Sequence, residues 1–124
     1  MSNVPENLKY TKNHEWARIE GNNVAVGITD HAQEELTDIV YIELPKMGQE
    51  VKAGDAIATV ESVKSTSDVY SPVSGKVVKV NSGLENNPGD INADPYGKGW
   101  LAVIETKGGA TGLLSPAEYK TLLG

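Results

Sequence analysis

The residue of this chain best suited to chemistry is Lys64, which stands among small, uncharged residues between positions 62 and 67. A lysine amine that nothing in its surroundings activates is a poor catalyst near neutral pH. A Schiff-base lysine would need burial or a neighbouring cation, whereas the nearest charge downstream is Asp68. Lys64 is therefore predicted to be an exposed attachment point for a covalent group.

Two alternating segments flank this lysine and predict a β-hairpin with Lys64 at its turn. The alternation places one set of side chains on a single strand face, namely Ile57, Thr59, Glu61 and Val63, and it resumes with Ser67, Val69, Ser71 and Val73. Gly54-Asp55 and Gly89-Asp90 each resemble a turn that leads into a strand. This internal pseudo-symmetry predicts a folded-over sheet with the lysine hairpin at its crossing point.

The rest of the chain predicts short strands with helices at the edges. Strands are expected at 14–20, 23–28, 39–44, 77–80 and 100–104, and a short helix from Thr29 or Asp30 to Leu36. Lys107–Gly112 is predicted to be a connector rather than a phosphate-binding loop. Ser115-Pro116-Ala117-Glu118 is a capping box that opens a final helix over about 115–123. The prediction is one mainly β domain over residues 1–124, a flattened barrel-sandwich hybrid of two antiparallel sheets.

Composition excludes several classes of function. A formal net charge of −6 disfavours nucleic acid and anionic membrane as partners, because both attract clusters of Lys and Arg. No apolar run is long enough to span a membrane and the first residues resemble no targeting peptide, so a cytoplasmic protein is expected. His14 and His31 could form a metal pair, but no cysteine or third histidine joins them. The sequence predicts no metal site and no catalytic site, hence a protein that is not an enzyme.

The residues around Lys64 resemble the attachment site of biotinyl and lipoyl carrier domains. Gly54 and Ile57 precede the lysine, and Gly75 and Val77 follow it, as in those domains. Biotin carriers flank their lysine with methionines, whereas this chain has Val63 and Ser65 there. The resemblance therefore favours lipoyl.

Within the lipoyl group, motifs from about Leu8 to the C-terminus resemble the glycine cleavage system H-protein family. These are Tyr10, His14-Glu15-Trp16, Gly27–Gln33, Asp38-Ile39-Val40, Glu43-Leu44-Pro45, Glu61-Ser62-Val63-Lys64, Asn92 and Asp94–Trp100. The resemblance implies (R)-lipoate joined to Lys64 as an amide. It also implies a monomeric carrier that takes the aminomethyl group of glycine from the pyridoxal-phosphate-dependent glycine decarboxylase (P protein) to the tetrahydrofolate-dependent aminomethyltransferase (T protein). Dihydrolipoyl dehydrogenase (L protein) then reoxidises the carrier, and a lipoate ligase or octanoyltransferase and lipoyl synthase load it.

Two groups of side chains are assigned to this function. Recognition of the hairpin by the attaching enzyme is expected to involve Glu61, Ser62, Val63, Ser65, Asp68 and Gly75. The resemblance places a groove for the loaded arm at Glu15, with His14 and Asp68, where a partly buried carboxylate could stabilise a protonated amine. The alternative for Glu15 is a solvated strand residue.

Three positions depart from the family pattern. Ser65-Thr66 replaces a commoner small apolar pair, Thr37 stands where glycine is usual, and Asp90 stands where leucine usually precedes Ile91. Asp90 is expected at a sheet edge or as a turn cap, since a buried aspartate needs a hydrogen-bonding partner.

Other functions remain open. The same lysine would serve an H-like scaffold on which lipoate is assembled and relayed to other lipoyl proteins. A lipoyl domain of a dehydrogenase complex is less favoured, because such domains are typically shorter and precede a flexible linker and a catalytic domain. The remaining alternative is a structural module that carries nothing.

Overall fold

Two antiparallel β-sheets make up most of the fold in a computed structural model that describes residues 3–106 and 112–124. The strands are β1 (Lys9–Tyr10), β2 (Glu15–Glu20), β3 (Asn23–Ile28), β4 (Ile39–Glu43), β5 (Glu50–Val51), β6 (Ala56–Ser62), β7 (Thr66–Tyr70), β8 (Gly75–Val80) and β9 (Ala102–Glu105). The helices are α1 (Asp30–Leu36), α2 (Asp90–Ala93) and α3 (Pro116–Leu123), with a 3-10 turn at Ser82–Glu85. The connector expected at Lys107–Gly112 lies, but for Gly112, outside the described residues.

The sheets have six and three strands. The six-stranded sheet has the order β1-β2-β3-β9-β8-β5, and the three-stranded sheet has the order β4-β6-β7. Both contribute to one core, in which Val26 and Ile104 of the larger sheet lie with Val60 of the smaller. The expected mainly β fold with two antiparallel sheets is confirmed, and the described strands form a sandwich that does not close into a barrel.

A second, aromatic cluster holds α3 against the edge of the larger sheet. Tyr10 of β1 and Tyr119 of α3 stack with ring centroids 4.6 Å apart, and Trp16 of β2 joins them. Ser115 caps α3 by accepting a hydrogen bond from the Glu118 amide, while the Glu118 carboxylate accepts one from the Ser115 amide. This reciprocal pair is the predicted capping box, and it holds the pKa of Glu118 below its usual value.

The expected symmetry of the two glycine-aspartate turns is half correct. Gly54, at φ 93°, turns the chain into β6 as predicted. Gly89-Asp90 instead opens the helix α2, so the strand expected there is wrong. Asp90 is the first residue of that helix, where the partial positive charge of the helix N-terminus favours a carboxylate.

The predicted alternation of β6 also fails at one residue. A shift of the β6–β7 register between Ala56 and Ala58 leaves Ile57 buried together with Ala58. Beyond this irregularity the alternation holds, with Val60 buried and Glu61 exposed.

Among the described residues, every helix is too short or too polar to span a membrane.

Candidate attachment site

The turn between β6 and β7 is held by Ser62, not by the exposed residues at its tip. The Ser62 amide donates to the Ser65 carbonyl at 2.8 Å, and the Ser62 hydroxyl donates to the same oxygen at 3.0 Å. That hydroxyl also accepts from the amides of Lys64 at 3.1 Å and Ser65 at 2.9 Å. Ser62 is buried, whereas Val63, Lys64 and Ser65 are exposed. One buried serine therefore fixes the backbone that presents the lysine.

The tip is also tied to the segment that joins α1 to β4. The Val63 amide donates to the Asp38 carbonyl at 3.0 Å, and the Lys64 Nζ donates to the Glu35 carbonyl at 3.1 Å. Glu35 lies in the last turn of α1, where unpaired carbonyls carry partial negative charge that attracts a cation. The amine is thus exposed yet directed toward the end of a helix.

Asn92 of α2 fixes this helix end. Its side-chain amide donates to the Thr37 carbonyl at 2.8 Å, and its Oδ1 accepts from the Ile39 amide at 2.9 Å. Thr37 itself has φ 65° and ψ −147°, a conformation that glycine adopts far more readily. The backbone conformation at this position, where the family pattern has glycine, therefore favours glycine.

Glu15 is buried at the edge of β7, with only 2% of its surface exposed. Its Oε1 accepts a hydrogen bond from the Thr11 hydroxyl at 2.5 Å, and its Oε2 accepts one from the Tyr70 amide at 3.3 Å. Burial raises its pKa, while these two hydrogen bonds act in the opposite direction. The alternative of a solvated strand residue is wrong.

The other two residues expected in the groove, His14 and Asp68, form hydrogen bonds with partners other than Glu15. His14 Nδ1 lies 2.8 Å from the Tyr119 hydroxyl, and its ring centroid is 4.7 Å from that of His31. Burial lowers the pKa of His14, and the neighbouring His31 lowers it further. Asp68 is exposed on β7 and accepts a hydrogen bond from the Thr59 hydroxyl at 3.2 Å. The hydrogen bonds of the three residues therefore do not link them to one another.

Two residues expected to take part in recognition of the hairpin, Glu61 and Gly75, lie in different environments. Glu61 is exposed and pairs across the sheet with Tyr41 and with Thr66, close to the tip. Gly75 lies in β8, where a Cβ would collide with the Glu105 carbonyl of the neighbouring strand. The structure thus gives Gly75 a packing reason that is independent of the hairpin.

Sequence reasoning did not identify Glu35, and it named Asp38 and Asn92 only as residues of the family pattern, without a role in positioning the lysine. Glu35, Asp38 and Asn92 hold the tip and the helix end through contacts between residues 25 to 55 positions apart. Their backbone carbonyls and amide carry no local sequence signal. The helical pattern up to Leu36 was the only indication that a helix end would lie near the turn.

Comparisons with known proteins, each over nearly the whole chain, indicate one and the same family. A family model described as glycine cleavage H-protein matches residues 8–123. A glycine cleavage system H protein of Coprothermobacter proteolyticus is 58% identical over 124 residues, covering 98% of this chain and 98% of that protein. One from Rubrobacter xylanophilus is 56% identical over 119 residues, covering 96% and 94%. The crystal structure of a glycine cleavage system H protein from Mycobacterium marinum superposes with a TM-score of 0.91 at 39% identity, covering 98% of this chain and 99% of that one.

Proposed function

The chain belongs to the glycine cleavage H-protein family, and on that premise we propose that it carries (R)-lipoate as an amide on Lys64. The observation that carries this proposal is the presentation of Lys64, exposed at the tip of a turn whose backbone a buried serine fixes. A lysine on a rigid tip fits a long covalent arm, because the arm starts from a defined point and swings free of the sheet. As a lipoyl carrier, the protein is a non-catalytic component of the glycine cleavage system.

The lipoyl group supplies a disulfide that accepts both the aminomethyl group of glycine and a pair of electrons. The chain itself contributes the fixed position from which the arm extends. Acylation removes the charge of Lys64 and leaves a single N–H on Nζ, so the attraction to the end of α1 weakens. The arm is then released for delivery from the glycine decarboxylase to the aminomethyltransferase, and for reoxidation by dihydrolipoyl dehydrogenase. A net charge of −6 would steer the protein toward basic entrances on these cytoplasmic partners.

Glu15 is the group proposed to hold the amine of the carried unit between partners. A strand advances about 3.3 Å per residue, so Asp68 lies within about 13 Å of Lys64, and Tyr70 within about 20 Å. A lysine extended by a lipoyl chain has about a dozen bonds and spans about 15 Å. The arm therefore spans the distance to Asp68, and its end must lie along the edge of β7 to approach Glu15, which bonds to the Tyr70 amide.

The buried carboxylate suits this role. Each of its oxygens accepts one hydrogen bond and retains a further lone pair for a protonated amine, which would have to displace part of the cover that leaves Glu15 only 2% exposed. Because burial raises the pKa of Glu15, an adjacent cation would favour the ionised form. Glu15→Gln is expected to shorten the lifetime of the aminomethylated protein, measured as formaldehyde release in buffer. An unchanged release rate would remove Glu15 from the mechanism.

The test of the attachment site is intact-mass measurement after co-expression with a lipoate ligase and lipoate. The wild-type chain should gain one lipoyl increment, and Lys64→Arg should gain none, because a guanidinium cannot form the amide. Lys79→Arg, an exposed lysine on β8, is the matched control and should be modified like the wild type. An increment that persists in Lys64→Arg would refute the proposal.

A second measurement separates the carrier from a scaffold that only relays lipoate. The lipoylated protein should support glycine-dependent exchange of bicarbonate by purified glycine decarboxylase. A lipoylated protein that fails to support this exchange, while passing lipoate to other lipoyl proteins, would favour the relay.

A further inference from the structure

Three exposed apolar side chains lie on the β4–β6 strand pair and on the Lys64 turn in which it ends. They are Val40 and Tyr41 of β4 and Val63 of the tip, with 50%, 52% and 69% of their surfaces exposed. Six large apolar residues of the described chain are exposed, and the other three lie elsewhere: Ile19 in β2, Met47 in the turn between β4 and β5, and Leu122 in α3. Half of the exposed large apolar residues are thus gathered near one lysine, and we call Val40, Tyr41 and Val63 the apolar collar.

The collar results from an irregularity in β4. Ile39 pairs with Ser62 and Tyr41 with Glu61, and the register shifts between these two pairs. Val40 therefore has no opposite residue, and both Val40 and Tyr41 face solvent, as two consecutive residues of a regular strand would not. Val63 follows Ser62 directly, and its amide bonds to the Asp38 carbonyl, so it lies at the end of the same strand pair.

The collar has an acidic border. Residues 36–45 and 59–69 contain four carboxylates, Asp38, Glu43, Glu61 and Asp68, and one cation, Lys64 itself. All four acidic residues are exposed. A partner that covers the collar would need an apolar patch bordered by basic side chains.

We propose that the collar is the docking surface for the enzyme that acylates Lys64, an inference that rests on the proposed lipoylation. The choice of occupant follows from distance. The lysine Nζ is at most about 6 Å from its Cα, whereas the end of the loaded arm is about 15 Å away. An enzyme that acts on Nζ must close over the tip and cover its neighbours. Enzymes that act on the end of the arm can remain farther from the tip.

The reaction at this surface is an acyl transfer. The ammonium of Lys64 first leaves the Glu35 carbonyl and loses a proton to the enzyme. The neutral amine then attacks the carbonyl carbon of an activated acyl donor, an adenylate or a thioester. A C–N bond forms, the bond from that carbon to the adenylate oxygen or thioester sulfur breaks, and the second amine proton leaves with the departing group. Docking on the collar would position Nζ for this attack.

The experiment compares Val40→Ser, Tyr41→Ser and the double variant with wild type as substrates of a lipoate ligase. The double variant is expected to lose about tenfold or more in kcat/KM, mainly through KM, as truncation of interface anchors does. Ile19→Ser is the matched control, since Ile19 is an exposed apolar strand residue outside the collar. Melting temperatures check that each variant is folded.

The assignment to the acylating enzyme has its own readout. Variants that have been lipoylated to completion should be reduced by dihydrolipoyl dehydrogenase and NADH at the wild-type rate. Wild-type lipoylation kinetics in the double variant would overturn the docking surface. An equal slowing of the dehydrogenase would overturn its assignment to the acylating enzyme. If the wild-type chain itself accepted no lipoate, the proposed function would fail whatever the collar does.

Discussion

Replacing Thr37 by glycine is expected to stabilise the protein, against the usual direction of substitutions to glycine. Thr37 lies at φ 65° and ψ −147°, close to a region that is essentially restricted to glycine. Holding a β-branched residue there costs about 1–3 kcal/mol. Glycine removes that strain but gains about 0.5–1 kcal/mol of conformational freedom in the unfolded chain. The net expectation from the middle of both ranges is a rise of about 1 kcal/mol in the free energy of unfolding, with an upper limit of about 2.5 kcal/mol.

The contacts of Thr37 should survive the change. Its amide donates to the Gln33 carbonyl at 3.0 Å and its carbonyl accepts from Asn92, and glycine retains both groups. The side chain is exposed, and its hydroxyl makes no hydrogen bond among the described residues. Little is therefore lost to offset the relieved strain.

The assay is urea denaturation of the wild type, Thr37→Gly and two controls. Thr37→Ala keeps the Cβ and with it most of the strain, so it should not match the gain. Thr66→Gly, in an ordinary strand conformation, should lose about 0.5–1 kcal/mol. If Thr37→Gly were no more stable than the wild type while Thr66→Gly behaved as expected, the assignment of strain to Thr37 would be wrong.

Three other perturbations have defined outcomes. Ser62→Ala removes two hydrogen bonds from the turn amides and should lower the free energy of unfolding by about 1–2 kcal/mol in denaturant titration, whereas Ser67→Ala should not. Burial raises the pKa of Glu15, so the folded protein keeps this proton to a higher pH than the unfolded chain. The stability from this group is complete below the unfolded value of about 4.3 and is lost as pH rises through the folded value, by at most about 1.4 kcal/mol per pH unit. Glu15→Gln should remove that slope, and an unchanged slope in denaturation measured from pH 4 upward would contradict the assignment. Glu61→Gln should slow lipoylation while Glu43→Gln, farther along the same sheet face, should not, and equal rates would exclude Glu61 from recognition.

The lysine hairpin could be predicted because its signals are local. Alternation on both sides of Lys64 and small polar residues at the turn specify strand, turn and strand without reference to the rest of the chain. The burial of Ile57 could not be predicted in this way, because the register shift that turns it inward depends on pairing with β7. The four residues of α2 are too few for a helical period, so Gly89-Asp90 gave no sign of a helix rather than a strand.

The environment of Glu15 could not be read from the sequence either. Its two partners are the Thr11 hydroxyl and the Tyr70 amide, and the second lies 55 positions away. A carboxylate in a strand is usually a solvated residue, and only the approach of β7 to the start of β2 encloses this one. The resemblance to a family located the residue, while the structure supplied its burial and its hydrogen bonds.

The way the tip is held has a consequence for how this sequence can drift. The turn depends on main-chain groups and on a single side chain, that of Ser62. The side chains of Ser65 and Thr66 are exposed and form no hydrogen bond within the described part of the chain. Mutation can exchange these two residues without disturbing the turn, and the departure of this chain from the family pattern at Ser65-Thr66 leaves the hydrogen bonds of the turn intact. Selection for the turn itself should be concentrated on Ser62, so distant relatives are expected to agree two residues before the lysine.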